Sequence, residues 1–200
     1  CIRDRANGDP FSVGGENGAM RIENGGILQT KNRYDGVSIS SVATVTGSDS
    51  RWLIDTPVMY VHGTFSVEDG GLVGVTNTNE IIDGPITVVV LEESSGPVGG
   101  ATITGNGSQW NMPRSALVVG RDGDGFMNVT EGGVVNSWET IIGNHAGSTG
   151  VVTVSGSGSQ WNLVGLVGYA EHLLHIGDEG HGTLVVRDGG VVSLDQDMSA

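Results

Sequence analysis

Apolar and polar residues alternate along many short segments of this chain, and each segment ends in glycine, asparagine, aspartate or serine. In one of them Met20 and Ile22 alternate with Arg21 and Glu23. A period of two residues is typical of a β-strand that buries one face. Because no segment carries apolar residues at helical spacing, the pattern predicts many short strands and little or no helix.

Two phrases alternate along the chain. The Trp phrase reads VTGSDSRW, ITGNGSQW and VSGSGSQW, ending at Trp52, Trp110 and Trp161. The Gly–Gly phrase is a short apolar strand followed by two glycines, as in GAMRIENGGIL, GTFSVEDGGLV, GFMNVTEGGVV and GTLVVRDGGVV. Repetition at a period of tens of residues indicates a stack of similar supersecondary units.

These phrases predict the fold class. About three short strands per circuit, joined by glycine-rich turns, are typical of a single-stranded parallel β-solenoid, here expected to be an all-β, right-handed β-helix of about eight circuits. Circuits spaced by about 4.8 Å would make a rod roughly 40 Å long. We expect one solenoid segment over residues 1–200, with repeat units at about 13–52, 53–110, 111–161 and 162–200 and an irregular segment at 79–100.

Composition narrows the classes of function. The formal charge is −14, and only 9 residues are basic, which argues against nucleic acid or an anionic membrane as a partner. No long apolar run is present, so we expect no direct insertion of this segment into a bilayer. The single cysteine, Cys1, excludes an internal disulfide. An N-terminal cysteine is the lipid-attachment site of bacterial lipoproteins, but without a leader a fragment boundary is the favoured interpretation.

The phrases resemble the passenger repeats of bacterial autotransporters (type V secretion). VTVSGSGSQW (152–161) and LHIGDEGHGTLVVRDGGVV (174–192) match that pattern closely, and the resemblance is clearest over residues 101 to 193. It implies export across the Gram-negative envelope, display at or release from the cell surface, and a role in adhesion, autoaggregation or biofilm formation.

Residues that recur in the phrases have two interpretations. Aromatic rings spaced along a rod can stack on sugars, but a tryptophan at a fixed position after a turn more often has a structural role. Glycines that repeat in register suit turns with positive φ. We therefore predict structural roles for a set of seven repeat residues: Trp52, Trp110, Trp161, Gly132, Gly133, Gly189 and Gly190.

Metal-binding chemistry has weak support in the sequence. The loops at residues 122–125 and 178–181 contain aspartates that could ligate calcium, but neither offers six oxygen ligands. Glu171, His172 and His175, with Asp178 and His181, form a dense cluster, but a spacing of three on a strand sends His172 and His175 to opposite faces. We expect no cofactor.

The predicted function is non-enzymatic adhesion or self-association. No pair of carboxylates recurs with a partnering cation, as a polysaccharide-cleaving site would need. The expected partners are host or bacterial surface molecules, glycans or further copies of the chain. The alternatives are a carbohydrate-active, tailspike-like β-helix and a structural subunit of an extracellular fibre. Possible contact loops contain Glu92, Glu93, Pro97, Tyr169, Glu171 and His172.

Overall fold

The computed structural model describes residues 11–15, 18–31, 36–77, 87–92, 99–164 and 174–195. Every regular element in these ranges is a β-strand, and no helix long and apolar enough to cross a membrane occurs there. The strands follow one another in threes, and each three make one circuit. In chain order they are β1 (Phe11–Val13), β2 (Ala19–Ile22) and β3 (Ile27–Lys31); β4 (Val37–Ile39), β5 (Val42–Thr46) and β6 (Arg51–Asp55); β7 (Val58–Val61), β8 (Thr64–Glu68) and β9 (Leu72–Thr76); β10 (Thr87–Leu91), β11 (Gly99–Thr104) and β12 (Gln109–Asn111); β13 (Ser115–Val119), β14 (Asp124–Thr130) and β15 (Val134–Ser137); β16 (Thr140–Ile142), β17 (Thr149–Ser155) and β18 (Gln160–Val164); β19 (Leu174–Ile176), β20 (His181–Arg187) and β21 (Val191–Asp195).

Corresponding strands of successive circuits pair in parallel and form three seven-stranded sheets. Sheet 1 contains the first strand of each circuit, sheet 2 the second and sheet 3 the third. This arrangement confirms the predicted parallel β-solenoid. The described residues form seven circuits, against the eight or so expected, and at about 4.8 Å per circuit they span roughly 30 Å. The segment predicted to be irregular, 79–100, contains β10, which is a regular member of sheet 1.

The two phrases mark alternate circuits. Trp52, Trp110 and Trp161 lie on the third strands of circuits 2, 4 and 6, which we name Trp circuits. The Gly–Gly phrases belong to circuits 1, 3, 5 and 7, which we name Gly–Gly circuits. In both kinds of circuit the glycines make the corner between the second and the third strand, so the sequence period of two circuits is a structural period as well.

The Gly–Gly corner is a tight turn that only certain residues can adopt. In circuit 5, Glu131 and Gly132 both have positive φ, 54° and 87°, and the Gly133 amide donates to the Thr130 carbonyl at 3.0 Å. Two successive residues with positive φ define a type I′ turn, which favours glycine. The second glycine is needed for a different reason: a Cβ on Gly190 would lie 2.5 Å from the carbonyl oxygen of Val154 in the circuit below.

A buried serine ties each Trp circuit to the Gly–Gly circuit before it. Ser108 donates through Oγ to the Thr104 carbonyl at 2.6 Å and accepts the Gly70 amide at 3.0 Å. In the same way, Ser50 Oγ accepts from the Gly25 amide at 3.1 Å, and Ser159 Oγ accepts from the Gly132 amide at 3.0 Å. All three serines are fully buried. The sequence analysis did not single them out, although each stands two positions before a repeat tryptophan.

The tryptophans fill the interior of the rod. Trp52, Trp110 and Trp161 have no exposed surface, and their inward row in sheet 3 alternates Trp with Val or Leu. Phe65 makes edge-to-face contacts with Trp52 and Trp110, at ring-centroid distances of 6.2 and 5.1 Å. The complete row, in register, is Leu28, Trp52, Val73, Trp110, Val135, Trp161 and Val192.

The inward row of sheet 2 also alternates large and small side chains, but in the opposite order to the row of sheet 3. Where a circuit has tryptophan in sheet 3, it has a small residue in sheet 2, and where sheet 3 has valine or leucine, sheet 2 has a large residue. Interiors are packed to crystal-like density, so one circuit cannot hold two large side chains or two small ones without strain or a void. The sheet 2 row, in register, is Met20, Ala43, Phe65, Ala101, Met127, Val152 and Leu184.

This exchange of volume is testable by a double-mutant cycle in circuit 4. We expect Trp110→Val to cost about 3 kcal/mol or more because it leaves a cavity, and Ala101→Met to cost about 1–3 kcal/mol because it overpacks the interior. In the double variant the methionine fills the space of the lost indole, so the cost should fall below the sum by about 1 kcal/mol or more. Urea unfolding measures the loss of stability in the two single variants and in the double variant. Additivity within about 0.5 kcal/mol would show that the two positions do not share one space.

Two of the three repeat tryptophans have a hydrogen-bond acceptor for their indole N–H in the preceding circuit. Trp52 Nε1 donates to Thr30 Oγ1 at 2.9 Å, and Trp161 Nε1 donates to Ser137 Oγ at 3.0 Å. The residue at the matching register position before Trp110 is Val75. The indole N–H of Trp110 accordingly has no hydrogen-bond partner among the described residues, which is a destabilising feature.

Val75→Thr would place a hydroxyl acceptor where the other two tryptophans have one. We expect the free energy of unfolding to stay unchanged or to rise by about 1 kcal/mol, because the new hydrogen bond offsets the burial of the hydroxyl. Val67→Thr, on an apolar inward row of sheet 2, is the matched control and should cost about 1–3 kcal/mol. Equal losses for the two variants, measured by urea unfolding, would contradict the predicted hydrogen bond.

Candidate functional site

Charged and aromatic side chains gather at the corner between sheets 1 and 2. They come from circuits 3 to 6 and lie on or just after the first strand of each circuit. Hydrogen bonds, ion pairs and ring contacts join them across the stack. We name this group the corner cluster; its members are Tyr60, His62, Glu92, Arg121, Asp122 and His145.

In-register backbone bonds place the cluster. The Gly120 amide donates to the Leu91 carbonyl at 2.8 Å, and the His145 amide donates to the Arg121 carbonyl at 3.0 Å. Gly120 has a φ of 73°, in the left-handed region that glycine adopts without steric cost. Each corner therefore turns at a fixed point, and side chains from successive circuits meet.

Glu92 is the buried centre of the cluster. Its Oε1 accepts from Arg121 Nη2 at 3.1 Å and its Oε2 accepts from the Asp122 amide at 2.6 Å. Both carboxylate oxygens are engaged, and the side chain is 5% exposed. Glu92 stands in one of the predicted possible contact loops, but its side chain is buried because its charge pairs with Arg121 in the next circuit.

Asp122 links two circuits at the surface. It accepts from Arg121 Nε at 2.9 Å, and its Oδ1 lies 2.6 Å from His145 Nδ1. The hydrogen bond from His145, followed by that from Arg121, lowers the pKa of Asp122 below its ordinary value. The Asp122 and His145 side chains are 52% and 53% exposed, so this pair faces solvent.

An aromatic pair forms the other edge of the cluster. The rings of Tyr60 and His62 stack, with centroids 5.6 Å apart and planes within 8°. The Arg121 guanidinium lies over the Tyr60 ring at 5.5 Å, within reach of a cation–π interaction. Burial opposes the charge of Arg121, but hydrogen bonds with Tyr60 and Asp122 and the charge of Glu92 outweigh it, so the pKa of Arg121 is raised.

The corner cluster links successive circuits through its side chains. A glycosidic acid or base must present a carboxyl group to substrate or water, whereas Glu92 uses both oxygens inside the protein. Asp122, in one candidate calcium loop, is held by Arg121 and His145. Asp178, in the other, accepts from Asn144 at 3.2 Å. Within the described ranges no three His, Cys, Asp or Glu side chains are placed to hold a metal ion.

The other predicted site residues have different environments. The complete burial of Trp52, Trp110 and Trp161 rules out a solvent-exposed row of sugar-stacking rings at those positions. Gly132 and Gly189 have φ values of 87° and 84° at the Gly–Gly corners. Cys1 and the remaining predicted contact residues lie outside the described residues; these residues are Glu93, Pro97, Tyr169, Glu171 and His172.

Sequence reasoning missed Tyr60, His62, Arg121 and His145 because they stand far apart along the chain. The pairing of Val61 with Leu91 brings His62 beside Glu92, where its Nδ1–H donates to the Glu92 carbonyl at 3.1 Å. Only an assigned register between circuits could have shown this proximity.

A second ordered feature is a row of amides on the outward face of sheet 3. Asn136 donates through Nδ2 to Asn111 Oδ1 at 2.5 Å, and Asn162 donates to Asn136 at 2.9 Å. Ser193 continues the row by donating to Asn162 at 2.7 Å. Side-chain ladders of this kind add hydrogen bonds between circuits outside the core and leave a polar surface.

Fold and corner cluster together define the chain as a segment of a parallel β-solenoid with a polar corner that spans several circuits. A curated protein similar to it is the uncharacterized lipoprotein YdeK of Escherichia coli (strain K12), which is 31% identical over 179 residues. The match covers 89% of this chain, and the chain spans 11% of the length of that relative. No family model and no solved structure matches the chain.

The lowered pKa of Asp122 predicts a pH-dependent contribution to stability. Because the carboxylate is favoured in the folded state, it stabilises the fold above the unfolded pKa of about 3.9 and this contribution is lost as the pH falls through the folded pKa. We expect Asp122→Asn to lower the thermal midpoint at about pH 5, with a smaller difference from the unmodified protein below about pH 3. The matched control is Asp124→Asn, two residues away and exposed. A midpoint difference independent of pH would contradict the assignment.

Proposed function

We propose that this chain is a non-enzymatic, surface-exposed or secreted β-helical passenger segment that mediates adhesion, autoaggregation or biofilm formation. The resemblance of its phrases to autotransporter passenger repeats supports the secretion route. The similarity to a protein named as a lipoprotein supports a location in the cell envelope, and the cell surface is the finer location that we propose.

The observation that carries this proposal is the separation of inward apolar side chains from outward polar and aromatic ones in circuits 3 to 6. Large apolar side chains point inward and stack, while the corner cluster presents Asp122, His145 and the Tyr60–His62 ring pair outward. The His145–Asp122 hydrogen bond and the Tyr60–His62 ring contact restrict these outward side chains, so less conformational entropy is lost on binding than for unrestrained side chains. Several such groups along one rod can act together, and multivalent display converts weak contacts into strong attachment.

The chemistry of the outward groups suggests the partners. Aromatic rings beside hydrogen-bonding charges suit glycans, and we propose glycans, host or bacterial surface molecules, or further copies of the chain. Contacts between copies must overcome the formal charge of −14. Salt shortens the range of this repulsion to about 8 Å at 0.15 M, so attachment between copies should strengthen as salt is added from low ionic strength.

Beads coated with the purified chain test the proposal. We expect them to clump with one another, or to bind bacterial cells or extracellular matrix. His145→Ala removes an exposed member of the corner cluster and should reduce clumping or binding by roughly tenfold, the change that corresponds to about 1.4 kcal/mol.

Arg187→Ala is the matched control, because Arg187 is also exposed and also pairs with an aspartate, Asp188, but lies on β20 away from the cluster. It should behave like the unmodified chain. The adhesive function is wrong if beads with the unmodified chain neither clump nor bind cells or matrix. Release of reducing sugars from surface polysaccharides would instead favour the carbohydrate-active alternative.

A further inference from the structure

The outward face of sheet 2 combines an aromatic ring with polar side chains that have no partner within the described part of the chain. We propose that this face binds a neutral hexose glycan, with the Phe126 ring stacked on one face of a sugar and with Asp124 and Asn128 bonded to the sugar's hydroxyl groups. The inference specifies one of the partners proposed for adhesion, and to that extent it rests on the proposed function.

Phe126 is the aromatic residue of this face. The chain has 3 phenylalanines, and two of them, Phe11 and Phe65, belong to or pack against the hydrophobic core. Phe126 instead stands between the buried residues Gly125 and Met127 on β14 and points outward, and it is half-buried. Because its ring does not fill the interior of the rod, core packing does not explain this aromatic residue.

A glycine in the neighbouring circuit makes room for the ring. Phe126 pairs with Gly100, and a Cβ on Gly100 would lie 2.5 Å from the ring atom Cδ1 and 2.7 Å from Cε1. The ring therefore rests on the Gly100 backbone, where any other residue would displace it. An aromatic side chain that covers a strand glycine stabilises a sheet. It also holds the ring in place, which reduces the conformational entropy lost on binding.

Polar groups flank the ring along the same strand. Asp124 and Asn128 lie two residues before and after Phe126, so the three side chains share the outward face at a spacing of about 6.6 Å. Asp124 is exposed, and within the described ranges neither Asp124 nor Asn128 has a side-chain hydrogen bond or ion pair. A carboxylate accepts hydrogen bonds from hydroxyl groups, and an amide both donates and accepts. A sugar placed on Phe126 would therefore present hydroxyl groups to both residues.

The neighbouring circuits extend this polar surface. Thr102 and Thr153 pair with Asn128 from either side, at about 4.8 Å per circuit. Their hydroxyl groups also have no hydrogen-bond partner in the part of the chain that the structure describes. The adjacent outward row differs, because there Thr130 donates to Thr104 at 3.0 Å. The hydroxyl groups beside Asn128 are thus available to a ligand that carries several hydroxyl groups of its own.

Charge selects a neutral glycan over an acidic one. The formal charge of the chain is −14, and Asp124, the charged member of the site, is also negative. A polyanionic glycan would be repelled by both. A neutral hexose offers hydroxyl donors to Asp124 and a face of C–H groups to the Phe126 ring, whose own face is electron-rich.

Titration with soluble oligosaccharides tests the inference. The probes are neutral oligomers of glucose, of mannose and of galactose, and oligogalacturonate is the acidic control; binding to the isotopically labelled full chain is followed by amide chemical shifts. We expect at least one neutral probe to shift the amides of β11, β14 and β17 at millimolar concentration. Amides of the sheet 3 asparagine row, such as Asn136, should stay unshifted, and oligogalacturonate should bind roughly tenfold more weakly.

Variants separate a role in binding from a role in the fold. Phe126→Leu keeps an apolar side chain over Gly100 but removes the ring, so the thermal midpoint should stay nearly unchanged while binding weakens roughly fivefold or more. Thr153→Val removes one hydroxyl group of the site and should weaken binding roughly threefold. The matched control is Thr44→Val, on the same outward row but in circuit 2, which should bind like the unmodified chain.

The outcomes separate this inference from the adhesive function. Binding that maps to β14 and weakens in Phe126→Leu supports the glycan site. Failure of every neutral probe to bind, or equal binding by Phe126→Leu and the unmodified chain, would overturn it. If coated beads clump although no probe binds, the glycan site is wrong and the adhesive function stands. If a probe binds at β14 although beads neither clump nor attach to cells or matrix, the glycan site stands and the adhesive function is wrong.

Discussion

The constant volume of the circuit interior is the constraint on which this structure depends. The three strands of each circuit pair with the corresponding strands of its neighbours in three continuous sheets, so one circuit cannot widen alone to accept a larger side chain without breaking that pairing. A tryptophan on sheet 3 therefore requires a small residue such as Ala101 on sheet 2, and a valine such as Val135 on sheet 3 accompanies Met127. The two-circuit period of the sequence is the consequence of this exchange.

The same period sets the hydrogen bonding at the corners. A tight Gly–Gly corner leaves the amide of its first glycine pointing toward the next circuit, and a longer Trp corner brings a buried serine to accept it, as Ser159 does for Gly132. Two tight corners in succession would leave that amide without its acceptor, which is costly for a buried donor. Interior packing and hydrogen bonding at the corners thus both favour the alternation of Gly–Gly circuits with Trp circuits. Such agreement between packing and hydrogen bonding is typical of a sequence that specifies one structure.

The fold was predictable from the sequence because its signal is local and repeated. The two-residue alternation, the glycines at fixed offsets and the recurring Trp52, Trp110 and Trp161 each report on one circuit. The corner cluster was not predictable, because Tyr60, Glu92 and Arg121 become neighbours only through the register of three circuits. Glu92 shows the difference: its own segment reads as an exposed loop, and only a cation in the following circuit explains its burial.

Inward and outward residues of the rod therefore differ in how many circuits a substitution affects. An inward residue such as Val73 contacts tryptophans above and below it in the row, so a change there disturbs two neighbouring circuits. An outward residue such as His145 affects only its corner and is 53% exposed. Surface chemistry can change from circuit to circuit at the corners and outward rows while the interior alternation persists, whereas the buried tryptophans contribute nothing to that surface.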